Sequence, residues 1–398
     1  MKTTSTKVTI TAATIIAIAG LSFGGPLNPP PGPVTSTMKT LTEVEPRIAI
    51  NATNTPGDAN SLYHISEPGS YYLTGNIDGV AGKHGIEISA NNVTIDLNGF
   101  AVRGTSGALS GIVNANALSW ATIRNGSISF WPNRGIAMTN ALLASGVRLE
   151  RLNVASCGVV CIEAGPQTTV ESCSVMDSPN GVTVMDGSTV RNSTFGNING
   201  QSIGVEDGSL VEGCTVRSAA GATGVALFGP ATIRNCTITG GFVGISGDPR
   251  CVIEENTVVG TSNLGIWADV GCRVVGNTVA DCQGIGIRLD GTHAVIAENT
   301  VNKIRGTGGN DIGIALLSGA TRNSIHGNTI SDCGQGVSIA AGGNAVYSNE
   351  LTSNTMQFNV VAGNRVGPIV AGAASAAIAG STGGAGMGST DPFANILY

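Results

Sequence analysis

The chain has 398 residues, of which 58 are glycine, with 41% apolar residues, 12% charged residues and a net charge of −6. So much apolar residue with so little charge excludes a disordered chain. The acidic balance, the lack of a basic stripe and an aromatic content of 4% give no platform for nucleic acid, and none is expected as a partner.

In chain order, Lys2 and Lys7 precede an apolar stretch from Val8 to Leu21, and Ala17-Ile18-Ala19 gives a small-x-small pattern before Gly20. This is the layout of a secretory signal peptide over 1–25. The stretch is too short and too polar for a membrane span, so a secreted or cell-envelope protein with no span in the mature chain is expected. Residues 26–60 read as a Pro/Gly-rich linker and 61–92 as an N-terminal cap region.

From 93 to 370 the chain repeats itself. In "CVIEENTVVGTSNLGIWADVGCRVVGNTVADCQGIGI", ENTV at Glu255–Val258 returns as GNTV at Gly276–Val279, and Gly265-Ile266 returns as Gly286-Ile287. One column runs through Cys173, Ser193, Cys214 and Cys236 into Asn256, Asn277, Asn299, Asn328, Asn349 and Asn364. Three residues before it stand aliphatics such as Ile253, Val274 and Val361, and two after it stand others such as Val258, Val279 and Val366. A period near 21 residues, built of β-branched residues and glycine turns, is a solenoid signal. Two or three short strands fit in each coil and stack in parallel about 4.8 Å apart, so a sequence column becomes a ladder in space. The asparagines are then a structural ladder at an inward bend, each bonding the backbone and the next rung.

Two residues before the asparagine column stand Arg124, Glu150, Glu171, Arg191, Glu212, Arg234 and Glu254, with the sign alternating from Glu171 onward. Opposite charges on neighbouring strands attract, so this column sets register and keeps one face soluble. His326 falls in the same column, whereas His84 lies in "GKHGI". The nine cysteines follow the repeat rather than any metal-finger spacing. Cys251 with Cys272, and Cys214 with Cys236, share columns on adjacent rungs. Parallel stacking points both Cβ atoms the same way, which favours buried thiols over bridges.

Two clusters could carry chemistry. Phe130, Trp131 and Arg134 in "SFWPNRGI" are carbohydrate-binding candidates, since aromatic faces stack on sugar rings and an arginine holds a carboxylate. The competing reading makes these aromatics a cap on the open end of the solenoid, and Trp267 a further platform or a plain surface residue. Asp248, Asp269 and Asp290, on successive rungs, are metal candidates, because stacked carboxylates repel unless they bind a cation or share a proton. The competing reading is turn chemistry, as in Asp248-Pro249 and Asp290-Gly291. Residues 371–398 hold a flexible Ala/Gly/Ser segment and end in Phe393, Ile396, Leu397 and Tyr398, which can fold back as a C-terminal cap.

The "IxxNTV…GI" rungs resemble the right-handed parallel β-helix proteins, the pectin-lyase-like superfold and its NosD-type repeats, over roughly residues 60–370. The expected fold is an all-β, right-handed parallel β-helix solenoid of about 12–13 coils with terminal caps. The resemblance implies a groove along one face in which the enzymes of the superfold act on acidic or complex polysaccharides. Their lyases hold calcium with acidic residues, and their hydrolases cluster aspartates beside Gly-His-Gly and Arg-Ile-Lys segments. This sequence has no Asn-Thr-Asp, Asp-Asp, Gly-His-Gly or Arg-Ile-Lys. The function expected is an exported, non-catalytic surface, structural or glycan-binding protein. Its expected partner is a polysaccharide or cell-surface glycan, and it requires no cofactor. The alternative is a polysaccharide lyase or glycoside hydrolase, with calcium at the aspartate stack. A third class is an accessory carrier like the NosD proteins, against which the few histidines and missing ligand spacings argue.

Overall fold

The computed structural model describes residues 45–116, 119–139, 145–306, 309, 311–371, 377–380 and 392–397. The expected signal peptide over 1–25 lies outside the described residues. The chain divides into Met1–Pro46 and Arg47–Tyr398, and all that follows concerns the second unit.

One coil shows how the sequence makes the fold. Val252–Glu254, Thr257–Val259 and Leu264–Ala268 are three short strands. Each pairs in parallel with its counterpart in the next coil, Arg273–Val275, Thr278–Ala280 and Ile285–Leu289. β-branched residues suit such strands, and the inward members Ile253, Val258 and Ile266 are fully buried. The bend between the first two strands turns on one residue in the left-handed region, Glu255 at φ 56° and Gly276 at φ 67° in the next coil. The recurrent glycine at the second position of the third strand answers to packing instead. A Cβ on Gly265 would lie 2.4 Å from Val279 Cγ1 and 2.5 Å from the Gly286 carbonyl oxygen.

Among the described residues, the third strands of the coils, such as Leu264–Ala268, form a sheet of fifteen, and the remaining strands form a sheet of 28. The solenoid therefore has about fifteen coils rather than 12–13. Residues 61–92, read as a cap, make rungs of their own. Ser61–Ile65 pairs with His84–Ile88, and Gly69–Tyr72 pairs with Val93–Asp96. Ile48–Ala49, read as linker, pairs with Tyr71–Tyr72. These coils bury aliphatics as the others do but lack the asparagine column that made the repeat visible. Among the described residues no helix is long and apolar enough to cross a membrane.

The asparagine ladder is present from Asn256 to Asn349. Nδ2 of Asn256, Asn277, Asn299 and Asn328 donates to Oδ1 of the next member at 2.9–3.0 Å. Asn364 is not its last member. Nδ2 of Asn349 donates to Oδ1 of Asn395, 3.1 Å away. Asn364 instead ends a second ladder at another bend, accepting from Asn344 Nδ2 at 3.1 Å, while Asn344 Oδ1 accepts from the Asn323 amide at 3.0 Å. Accordingly Val366 pairs with Val346, and Val361 is exposed rather than core. The final strand, Asn395–Leu397, lies between Glu350–Thr352 and Ile369–Ala371 and buries Leu397.

All nine cysteines are buried and unbridged. Burial pushes the Cys173 thiol up to about 11 and the Cys333 thiol up to about 12.

Candidate functional site: a polar cleft on the outer face of the fifteen-stranded sheet

Side chains alternate along a strand, so one register position of each rung faces outward. On the fifteen-stranded sheet that position runs His64, Glu87, Val113, Ala137 and Glu163 over the first five rungs. Small residues at Val113 and Ala137 between larger polar ones open a cleft of about 530 Å³, lined by His84, Glu87, Ser110, Asn114, Arg134 and Thr139 among others.

The polar groups in it are held by neighbouring rungs. His84 Nδ1 accepts the Ser110 N–H at 3.2 Å, so the neutral ring carries its hydrogen on Nε2. Burial pushes the His84 pKa down, against the charges of Glu87 and Asp58. Arg134 Nε donates to Glu163 Oε2, one rung on. His64 Nε2 bonds Ser89 Oγ at 2.8 Å, and its Nδ1 lies 3.9 Å from Asp58. Glu87 differs from these. Its Oε2 is buried and has no hydrogen-bond partner among the described residues. A buried acceptor left unpaired is costly, so this atom is a point where a donor from a ligand is stabilising.

The aromatic candidates separate. Phe130 is on the surface at 61% exposure, in the left-handed region at φ 62°. Trp131 is a correction: it is 0% exposed, with Nε1 donating to the Val102 carbonyl at 3.0 Å. A buried ring cannot stack on a sugar. The space is cleared by Gly85 and Gly111, where a Cβ would lie 3.0 Å from the indole. Arg134 does line the cleft, but its guanidinium is already engaged by Glu163. Trp267 lies on the same outer face, next to Ser246 and Arg288 in register, and its Nε1 is buried without a partner among the described residues.

The three aspartates are not gathered into one site. Arg288 holds Asp290 through two bonds of 2.7 Å, and Asp269 Oδ1 accepts its neighbour Val270 N–H at 2.7 Å. Burial, and then the charge of Asp269, raise the Asp248 pKa. Among the described residues no set of three or more His, Cys, Asp or Glu side chains could hold a metal ion.

The charge column is continuous in space, from Asp96 and Arg124 through Glu150, Glu171, Arg191, Glu212 and Arg234 to Glu254. Arg191 bonds Glu171 at 2.9 Å, and Arg234 bonds Glu212 at 2.8 Å. At the one like-charged step, Arg148 donates to both Glu150 and Glu171. His326 continues the column, as expected, beside Tyr347, with the rings stacked at 4.9 Å. Most of these charges are matched to a neighbouring rung.

Glu87 and Asn114 were missed in the sequence because they stand outside the repeat's conserved-looking columns. The available signal was a run "HGIEI" with the strand's burial rhythm and a charge at its outward position.

A family model described as right handed beta helix region matches residues 76–238, and one described as periplasmic copper-binding protein (NosD) matches residues 229–367. Among curated proteins none matches. Among solved structures, the Dettilon tailspike protein gp208 is 15% identical at a TM-score of 0.42, covering 81% of this chain. The chain spans 60% of that tailspike's length. The A-module of the Azotobacter vinelandii mannuronan C-5 epimerase AlgE6 is 12% identical at a TM-score of 0.48, over 71% of this chain and 91% of that one. A mutant tailspike of E. coli bacteriophage HK620, in complex with a hexasaccharide, is 13% identical at 0.47, over 78% and 69%.

Proposed function

We propose that this chain, a right-handed parallel β-helix repeat protein, is a glycan-binding protein that holds an extended polysaccharide against the outer face of its fifteen-stranded sheet without cleaving it. The observation that carries the reading is the cleft over the first rungs, with Glu87 Oε2 unpartnered inside it. Its walls offer the mixture a sugar needs: a carboxylate acceptor at Glu87, an N–H donor at His84 and hydroxyls at Ser110 and Thr139. The cleft is lined from four successive rungs, which stack about 4.8 Å apart, so an extended ligand is favoured over a compact one. The lysine-led apolar start of the chain and the word periplasmic in one matched family description support an envelope or secreted location.

A catalytic reading has one observation in its favour. His84, held toward its neutral form by burial, and Glu87 line one cleft, which places a candidate proton acceptor beside a carboxylate for a lyase or hydrolase. Affinity electrophoresis against neutral, amino-sugar and uronate polysaccharides separates the two when paired with assays of reducing ends and unsaturated product. Retardation without product is the expected result. Product in any lane supports the catalytic reading, and neither retardation nor product with any polysaccharide contradicts both.

A further inference from the structure

We propose that the cleft selects a glycan free of carboxylates, neutral or amino-substituted, and that Glu87 is the residue that turns uronates away; this rests on the glycan-binding reading above. Few charges stand in or beside the cleft, and the positive ones are engaged. Arg134, the one guanidinium lining it, donates through Nε to Glu163, which offsets its charge. Lys83 is turned to the Asp58 carbonyl at the rim. His84 is held toward its neutral form by burial, and His64 is engaged by Ser89. Against these stands Glu87, the carboxylate in the cleft lining; Glu163, one rung beyond, is matched by Arg134, and Asp58 lies outside the lining beside His64.

Glu87 Oε2 is the buried atom of this set without a donor. A sugar hydroxyl supplies that donor, and a protonated amine supplies it with charge assistance, which makes roughly twice as strong a bond. A uronate carboxylate supplies neither and sets a second negative charge beside Glu87, where low dielectric strengthens the repulsion. The cleft thus accepts hydroxyl-rich and cationic chains and penalises acidic ones.

The test is titration calorimetry of the full chain with a neutral glucan oligosaccharide, a chitosan oligosaccharide and a polyuronate oligosaccharide of equal length, at low and high salt. The expected result is uronate binding weaker than neutral by about tenfold or more at low salt, with the gap narrowing as salt screens the repulsion. In Glu87→Gln, which keeps the shape and replaces the charge with an amide, the chitosan advantage is lost and the uronate gains. Uronate bound as tightly as the neutral chain by the unaltered protein overturns the selectivity, and so does an unchanged ratio in Glu87→Gln. Binding of all three lost together would instead overturn the glycan reading on which the selectivity rests.

Discussion

Asn349 donates through Nδ2 to Oδ1 of Asn395 at 3.1 Å, although 46 residues separate them. The chain leaves the ladder after Asn349, completes another partial coil, and returns to supply the missing rung from Asn395–Leu397. The asparagine ladder is therefore one bonded column, and each member serves its neighbours on both sides. Asn299 gives its Nδ2 to the Val274 carbonyl and to Asn328, and its Oδ1 receives the amide and the side chain of Asn277. Asn299→Ala strips buried partners from both rungs and should cost about 3 kcal/mol in chemical denaturation. Asn299→Ser should cost clearly less, because Ser193 holds the equivalent place and accepts the Cys173 amide at 3.1 Å. Equal losses for alanine and serine would show that the ladder bonds do not carry the stability.

The same bend holds a second prediction. Glu255 sits at φ 56°, where its counterpart Gly276 sits at φ 67° without steric cost. Left-handed backbone costs an ordinary residue about 1–2 kcal/mol, partly offset by the entropy of a new glycine. Glu255→Gly should stabilise by about 0.5–1 kcal/mol, read as a rise in the denaturation midpoint. A fall would mean that the Glu255 side chain contributes more than its backbone strain.

Carboxylates in two environments give opposite pH responses. Asp248 has a folded pKa raised by burial and by Asp269. Its contribution is present below the unfolded carboxylate value of about 3.9 and is lost as pH rises through the raised value. Asp248→Asn should thus raise the melting temperature at pH 7 and leave it unchanged near pH 3. Asp96 runs the other way. Burial opposes its ionisation, but the Asn98 amide, Asn125, Arg124 and Arg47 together hold its pKa below the ordinary range. Asp96→Asn should therefore cost stability at pH 7, and the cost should fade as acid protonates the carboxylate of the unaltered protein.

Thiol chemistry gives a fourth outcome. All nine cysteines are buried, and burial pushes Cys173 and Cys333 up to about 11 and about 12, so the native fold closes the thiols to a reagent. A thiol reagent should label none of the nine in the native protein and all nine in denaturant. Fewer than nine in denaturant would reveal a bridge such as Cys251–Cys272.

The repeat itself was legible because its physics acts at single sequence positions. Ile253, Val258 and Ile266 stand where burial demands them, and Gly265 where a Cβ has no room. The last coil was misread for the same reason. Asn364-Arg365-Val366 copies Asn344-Ala345-Val346 as well as it copies the rung beyond, and only the short step after Asn349 marked the change of ladder. Trp131 was misplaced because its pocket is made by glycines such as Gly85 and Gly111, distant in sequence and silent in composition. The cleft was invisible for a related reason. It arises where the outward column drops to Val113 and Ala137 between Glu87 and Glu163, a feature of neighbouring rungs rather than of any one.

The most direct test of the central claim is hydroxyl-radical footprinting of the full chain, free and saturated with a neutral oligosaccharide. The account predicts protection confined to the cleft, in the peptides carrying His84, Glu87, Asn114 and Arg134. Protection absent there, or found instead around Asp248 and Asp269, would contradict it.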